Sequence, residues 1–137
     1  MANMTLLDSK PPKPPSRFRK LIIITVVWVV VLGGLLGYRF WNYGEERAVA
    51  RFLTALEQGD YKGAYALWQP APSYRYHDFL RDWGEQGDYG KIRSFEILFS
   101  KSKGRRTVLV TVSINKVQPP LVLAVDRNTK GLAYSIF

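Results

Sequence analysis

Residues 21–36 read LIIITVVWVVVLGGLL and contain no charged side chain. Four uncharged residues extend this stretch: Gly37, Tyr38, Phe40 and Trp41. Only Arg39 interrupts them. A helix over residues 21–41 would be about 30 Å long, which matches the hydrocarbon core of a bilayer. The sequence therefore predicts one transmembrane helix over residues 21–41, with the rest of the chain held at a membrane surface.

Two other structures also contain apolar stretches of this kind, a signal peptide and a buried helix. A secretory signal peptide needs a cleavage site of small residues directly after the apolar run, and the nearest such pattern begins at Ala48, beyond several charged residues. A buried helix of a soluble protein is rarely so long and so rich in Val and Ile, which are mediocre helix formers in water. Lipid, in contrast, forces the backbone to satisfy itself as a helix. A retained span explains the stretch best.

The arm, residues 1–20, is rich in proline and carries +4 of the net charge of +9 in a short segment, whereas residues 44–137 spread another +4 over many more residues. The basic residues of the arm are Lys10, Lys13, Arg17, Arg19 and Lys20. Basic residues beside a span are retained in the cytoplasm, so we expect a cytoplasmic N-terminus in the inner membrane and a periplasmic C-terminal domain. This topology explains the basic composition without a nucleic-acid partner. Prolines favour an extended conformation, and the arm could lie along anionic lipid or a partner protein.

Gly33, Gly34 and Gly37 lie close together near the end of the predicted span. Small residues four positions apart let two membrane helices approach closely. Glycine is also common in membrane spans in general, and this simpler explanation is favoured. If the glycines do form a contact, the partner helix is a second copy of the chain or another subunit.

Residues 44–137 are enough for one small domain with a modest core. Apolar residues recur with helical spacing in the first half, which predicts helices over residues 45–58, from Asp60 to Trp68, and from Ser73 to Gly84. Apolar and polar residues then alternate, which predicts strands over residues 92–99, 107–115, 121–125 and 132–137. We therefore expect an α+β domain of about three helices packed on a four-stranded antiparallel sheet.

The patterns also predict which side chains face the core. On the first helix of the domain these are Val49, Phe52, Leu53 and Leu56. On the third helix they are Tyr76, Phe79, Leu80 and Trp83. In the strands, the inward set is Phe95, Ile97, Phe99, Val108, Val110, Val112, Ile114, Leu132, Tyr134 and Ile136. Thr107, Thr111 and Ser113 are expected to face outward.

Residues 47–68, RAVARFLTALEQGDYKGAYALW, resemble the opening helical pair of the nuclear-transport-factor-2-like superfamily. There a long first helix ends in Gly-Asp, and the second begins with a Tyr-x-x-Ala-Tyr type of pattern. The resemblance covers residues 45–137, and the whole layout resembles uncharacterised bacterial proteins with one span and such a domain. It implies a curved sheet and helices that form a cone, which encloses Asp and His in enzymatic members and serves binding or dimerisation in many others.

Candidate catalytic and metal-binding residues are few. His77 is the single histidine and precedes Asp78, but adjacent helical residues point about 100° apart, so a catalytic pair is not expected. The chain has no cysteine, which removes disulfides, thiolate ligands and a thiol nucleophile. One histidine and scattered carboxylates do not predict a metal site. We expect no cofactor and no enzymatic activity.

Two other groups of residues are candidates for contacts. An aromatic-rich segment contains Trp68, Tyr74, Tyr76, Trp83 and Tyr89. Trp68 and Trp83 end apolar stripes and are expected in the core, whereas Tyr74 and Tyr89 are the better candidates for an aromatic surface. A basic group lies at one predicted hairpin tip, namely Lys101, Lys103, Arg105 and Arg106. It is either a solvated turn or a contact to anionic lipid or an acidic partner.

The combined features favour a non-catalytic accessory or scaffold subunit of a larger membrane complex, of which respiratory and photosynthetic assemblies are examples. A second hypothesis is a tethered ligand-binding or enzymatic domain, which predicts a conical pocket lined by Trp68, Trp83 or Tyr134. A third is an anchored domain that forms a homodimer through its sheet and its glycines. Partners on these hypotheses are membrane lipids, other membrane-protein subunits or a second copy.

Overall fold

The structure is a computed structural model that describes residues 12–13 and 16–135. The described residues form α1 (Arg17–Phe40), α2 (Tyr43–Glu57), α3 (Tyr61–Trp68), α4 (Tyr76–Trp83), β1 (Phe95–Lys103), β2 (Thr107–Ile114), β3 (Leu121–Asp126) and β4 (Leu132–Tyr134). The predicted α+β class, with one long apolar helix before the domain, is confirmed. The chain divides into two compact units, Met1–Tyr38 and Arg39–Phe137.

Helix α1 is long and apolar enough to cross a membrane, and all of its residues are exposed within the described part of the chain. It begins at Arg17, four residues earlier than the predicted span. Arg17, Arg19 and Lys20 therefore lie in its first turn and not in an extended arm. Lys10 lies outside the described residues. Thr25 donates its hydroxyl hydrogen to the carbonyl of Leu21 over 2.9 Å, so the polar group inside the apolar stretch is satisfied within the helix.

Helix α2 supplies one wall of the core. The four residues that the helical spacing predicts to face inward are each no more than 2% exposed, which confirms the prediction: Val49, Phe52, Leu53 and Leu56. Phe52 lies at the centre, with its ring 5.2 Å from Trp68 and 5.0 Å from Trp83. The edge-to-face geometry with Trp83 is a favourable arrangement of aromatic rings.

The two short helices begin at side-chain caps. Asp60 accepts a hydrogen bond from the backbone N–H of Gly63 at 3.0 Å, which confirms the predicted cap of α3. Helix α4 begins at Tyr76, three residues after the predicted start at Ser73. The reason is local, because the carboxylate of Asp78 accepts a hydrogen bond from the N–H of Arg75 at 3.2 Å and fixes the first turn there.

The sheet is an antiparallel meander with strand order β1-β2-β3-β4. Residues of neighbouring strands that lie opposite each other share a face of the sheet. The inner face carries five side chains that are fully buried under the helices: Val108, Val110, Val112, Leu123 and Val125. Leu132 of β4 is also buried, and Tyr134 is half-buried. Ile136, predicted on the same side, lies outside the described residues.

A β-bulge in β1 corrects one prediction. The alternation was expected to place Phe99 inward with Phe95 and Ile97. The register shifts between Ile97 and Phe99, so the intervening Leu98 is the extra residue. Phe99 then lies opposite Thr111 on the outer face and is 60% exposed. Strand β1 also begins at Phe95, later than predicted, and continues to Lys103.

Thr111 and Ser113 face outward as predicted, yet both are buried. Their register places them on the outer face as expected, but they are only 4% and 9% exposed. Strand β2 is an interior strand, and Thr111 lies between Phe99 of β1 and Val122 of β3. Larger side chains on both flanks cover the small hydroxyl residue.

Candidate functional site

The outer face of the sheet carries an exposed apolar surface. The bulge brings Leu98 and Phe99 to it, with 44% and 60% of their surface exposed. We call this surface the outer sheet face. It consists of the exposed bulge residue Leu98 and of the residues that the register places on this side: Phe99, Leu109, Thr111, Val122, Ala124 and Ala133. Lys101 and Lys103 share this side of β1. Leu98 and Phe99 are neighbouring exposed apolar side chains, and contiguous exposed apolar surface is typical of a protein contact.

The opposite side of the hairpin holds the start of α2. Ser100 donates to the carboxylate of Glu46 at 2.5 Å, and Ser102 donates to Asn42 at 3.3 Å. Arg127, from the turn between β3 and β4, donates to the same amide oxygen of Asn42 at 2.9 Å. These bonds bring together the start of α2 and the turns of both hairpins. We call this end of the domain the exit face, made of residues 42–46, 101–106 and 127–131.

Glu45 is the buried ionic centre of the exit face, at 3% exposure. Its Oε1 accepts a hydrogen bond from Lys130 at 2.6 Å and lies 3.7 Å from Arg127. Burial alone would raise the pKa of Glu45, but the hydrogen bond and the two positive charges outweigh it and hold the pKa below its ordinary value. Glu45 therefore stays ionised and fixes both cations in place.

The predicted basic cluster belongs to the exit face. The side chains of all four residues are exposed: Lys101, Lys103, Arg105 and Arg106. The backbone carbonyl of Arg106 accepts a hydrogen bond from the N–H of Arg127 at 2.8 Å, which ties the two turns together. Lys13, Arg17, Arg19 and Lys20 are exposed as well, and they belong to the other compact unit.

The three glycines of α1 have free space around them. A Cβ atom placed on Gly33, Gly34 or Gly37 would meet no atom within 4 Å among the described residues. The glycines are therefore not required for packing against any residue that the structure describes. A contact with another helix stays a prediction.

The aromatic residues divide between core and edge. Trp68 and Trp83 are 5% and 1% exposed, which confirms their predicted place in the core. Their ring centres lie 5.6 Å apart, and Tyr134 lies 5.1 Å from Trp68 and 5.8 Å from Trp83. These rings fill the space between helices and sheet. Tyr74 and Tyr89, the candidates for an aromatic surface, are half-buried and pack against Trp68 and Trp83 respectively.

The tyrosines of this cluster are poor acid–base groups near neutral pH. Tyr74 donates its hydroxyl hydrogen to Asp82 at 2.6 Å. Burial, and then the hydrogen bond and negative charge of Asp82, raise the pKa of Tyr74 far above its ordinary value. Burial also raises the pKa of Tyr134, helped by the neighbouring Tyr74 and Asp82. Both phenols therefore stay protonated and serve as structural hydrogen-bonding groups.

His77 lies on the exposed side of α4, and its side chain is 87% exposed. Its Nδ1 is 3.8 Å from the nearest carboxylate oxygen of Asp78, which is longer than a hydrogen bond. Within the described part of the chain, no three His, Asp or Glu side chains are placed to hold a metal ion. The two residues are neighbours without the geometry of a catalytic pair.

Two concave sites lie at the end of the sheet away from the exit face. One, of about 160 Å³, is lined by Asp88, Tyr89, Ile114, Val117, Pro119 and Leu121. The other, about 420 Å³ and open to solvent, is lined by Tyr89, Gly90, Lys91, Arg93, Ser94, Asn115 and Lys116. Neither includes Trp68, Trp83 or Tyr134, the residues expected to line a conical pocket.

Some residues at these sites could not be identified from the sequence. Asn115 accepts hydrogen bonds from the N–H groups of Arg93 and Ser94 and donates to the carbonyl of Lys91, which holds the loop before β1. The two cations that contact Glu45 are Lys130 and Arg127, both in the turn between β3 and β4. Lys130 lies 85 positions from Glu45 in the sequence, so local patterns could not reveal the contact. The one local signal for Asn115 is the tendency of Asn to adopt the left-handed conformation in turns.

No protein-family model, no curated protein and no solved structure matches this chain.

Proposed function

We propose that this chain is a membrane-anchored, non-catalytic accessory or scaffold subunit of a larger membrane protein complex. The observation that carries the proposal is the outer sheet face, where Leu98 and Phe99 stay 44% and 60% exposed while the interior is filled with aromatic rings. A domain with a filled interior and an uncovered apolar surface is suited to binding another protein.

In this proposal α1 spans the membrane with a cytoplasmic N-terminus and an extracytoplasmic domain. The basic residues Arg17, Arg19 and Lys20 at the start of the helix support this orientation. The helical pair followed by a sheet also supports an NTF2-like domain, used here for binding and not for catalysis. Fold alone does not determine function, so the proposal depends on the surface and not on the family.

The test uses tagged full-length protein expressed in its native membrane and purified in mild detergent. Phe99→Ser and Leu98→Ser should reduce the amount of co-purified subunit about tenfold, because a central apolar anchor is typically worth 1–2 kcal/mol or more of binding. Val117→Ser is the matched control, since Val117 is also apolar and is 63% exposed but lies outside the outer sheet face. Equal yields of partner from all three variants would contradict the proposal.

A homodimer is a second candidate for the same surface. The outer sheet face would pair with its copy, and the open space beside Gly33 and Gly37 would admit a second helix. Size determination of the purified complex separates the two candidates, because a homodimer contains one kind of chain and a heteromeric complex contains several.

A further inference from the structure

We propose that the exit face of the domain binds anionic lipid headgroups. This inference concerns the exit face, which meets the outer sheet face at Lys101 and Lys103, and it holds for the anchored domain whether or not the chain belongs to a complex. It develops one of the roles that the sequence leaves open for the basic hairpin, and it rests on which residues the fold gathers around the start of α2.

The exit face lies close to the end of α1 along the chain. Asn42 follows Phe40, the last residue of α1, by two positions. Two residues reach at most about 7 Å. Because Asn42 is bonded to Ser102 and Arg127, both hairpin turns of the domain begin within a short distance of the end of the span, whatever the angle between the helix and the domain.

The exit face carries most of the excess positive charge of the domain. The domain, residues 44–137, carries fourteen basic and ten acidic residues. Six of the basic residues but only three of the acidic ones belong to the exit face or lie directly beside it, so most of the excess positive charge is found there. The basic residues are Lys101, Lys103, Arg105, Arg106, Arg127 and Lys130, and the acidic residues are Glu45, Glu46 and Asp126. The remaining surface is close to neutral.

The acidic residues of the exit face have partners within the protein, which leaves its exposed cations free to bind a ligand. Glu45 neutralises Lys130 and Arg127 inside the face, and Glu46 lies 3.9 Å from Arg39. Asp126 accepts hydrogen bonds from the N–H groups of Asn128 and Thr129 in its own turn. The acidic residues are thus engaged internally, whereas the four cations of residues 101–106 point into solvent.

Two exposed aromatic residues lie beside the exit face. Trp41 and Tyr43 are 69% and 53% exposed and directly flank Asn42. Exposed Trp and Tyr at the end of a span are typical of the headgroup layer, where their rings are partly in lipid and partly in water. Aromatic residues at the headgroup depth and cations just beyond them are complementary to an anionic bilayer surface.

The experiment measures the accessibility of lysines in the full-length protein reconstituted into nanodiscs. One set of discs contains only phosphatidylcholine, and the other also contains phosphatidylglycerol. Modification of Lys101 and Lys103 by an amine reagent is followed by mass spectrometry, with the exposed Lys62 and Lys116 as internal controls. This readout is local, so lipid bound by Lys13 or Lys20 on the other side of the span does not affect it.

In discs with phosphatidylglycerol, modification of Lys101 and Lys103 should fall about fivefold relative to the control lysines, the factor that corresponds to one cation held at an anionic surface. High salt should restore the modification. Arg105→Gln together with Arg106→Gln should restore it as well. Arg81→Gln with Arg93→Gln, which removes the same charge from exposed positions elsewhere, should leave the protection unchanged.

Equal modification of Lys101 and Lys103 in both kinds of disc would overturn the proposal. Protection of these lysines in the discs of pure phosphatidylcholine but not in the discs with phosphatidylglycerol would overturn it as well. No protection in these discs, combined with protection in a separate preparation that keeps the co-purified subunits, would also overturn it, because the exit face would then bind an acidic protein. The discs contain purified chain without other subunits, so this result is independent of the co-purification test of the outer sheet face.

Discussion

The Nζ of Lys130 donates a hydrogen bond to the Oε1 of Glu45 over 2.6 Å and joins the turn after β3 to the first turn of α2. Glu45 is almost completely buried, whereas Lys130 keeps about a third of its side chain exposed. The pair therefore fixes the start of the domain to the sheet. A buried carboxylate that loses its partner is costly, which makes this contact testable.

Lys130→Met should lower the free energy of unfolding of the domain by about 1–2 kcal/mol at neutral pH, a value reduced for the exposure of Lys130 and for the remaining charge of Arg127. The folded-state pKa of Glu45 is lowered, so its contribution is present above the ordinary carboxyl pKa and is lost as pH falls through the folded pKa. The difference between wild type and variant should therefore shrink at acidic pH. Urea unfolding followed by tryptophan fluorescence measures it.

Lys62→Met is the control, because Lys62 is exposed on α3. It should change the unfolding free energy by less than about 0.5 kcal/mol at every pH. A Lys130→Met effect that stays constant down to pH values below the carboxyl range would show that the ion pair is not its cause.

The effect of Gly63→Ala on the free energy of unfolding should change sign when Asp60 is replaced. Asp60→Ala removes the cap of α3 and should cost about 1 kcal/mol. A Cβ on Gly63 would lie 2.1 Å from the Asp60 carboxylate, so Gly63→Ala should displace the cap and destabilise the wild type. In the Asp60→Ala background that conflict is gone, and Gly63→Ala should stabilise the helix by about 0.5–1 kcal/mol. Chemical denaturation of the four proteins would contradict the account if both effects had the same sign.

Two substitutions of Asn115 separate the cost of backbone strain from the cost of lost hydrogen bonds. Its φ is 51°, in the left-handed region, and its side chain makes three hydrogen bonds to the loop before β1. Asn115→Ala should cost about 2–3 kcal/mol, because it loses these bonds and strains the backbone. Asn115→Gly relieves the strain alone and should cost about 1 kcal/mol less than the alanine variant. Equal losses, measured by thermal unfolding, would remove strain from the explanation.

The sequence predicts the α+β class, the order of the elements and the core-facing residues of α2, because these depend on spacing within single segments. It does not predict the bulge at Leu98, which moves Phe99 from the core to the outer sheet face. Alternation gives no signal for one extra residue, since the register also depends on the partner strand. The exit face was partly visible as a basic hairpin, but its connection to Asn42 and Glu45 depends on contacts far apart in the chain.

The most direct measurement for the central proposal is native-size separation of the protein after gentle detergent extraction from its own membrane, with mass spectrometry of everything that co-migrates. The account predicts a particle much larger than the chain and its micelle, with other membrane proteins in fixed stoichiometry. A monomer or a homodimer without other chains would contradict it.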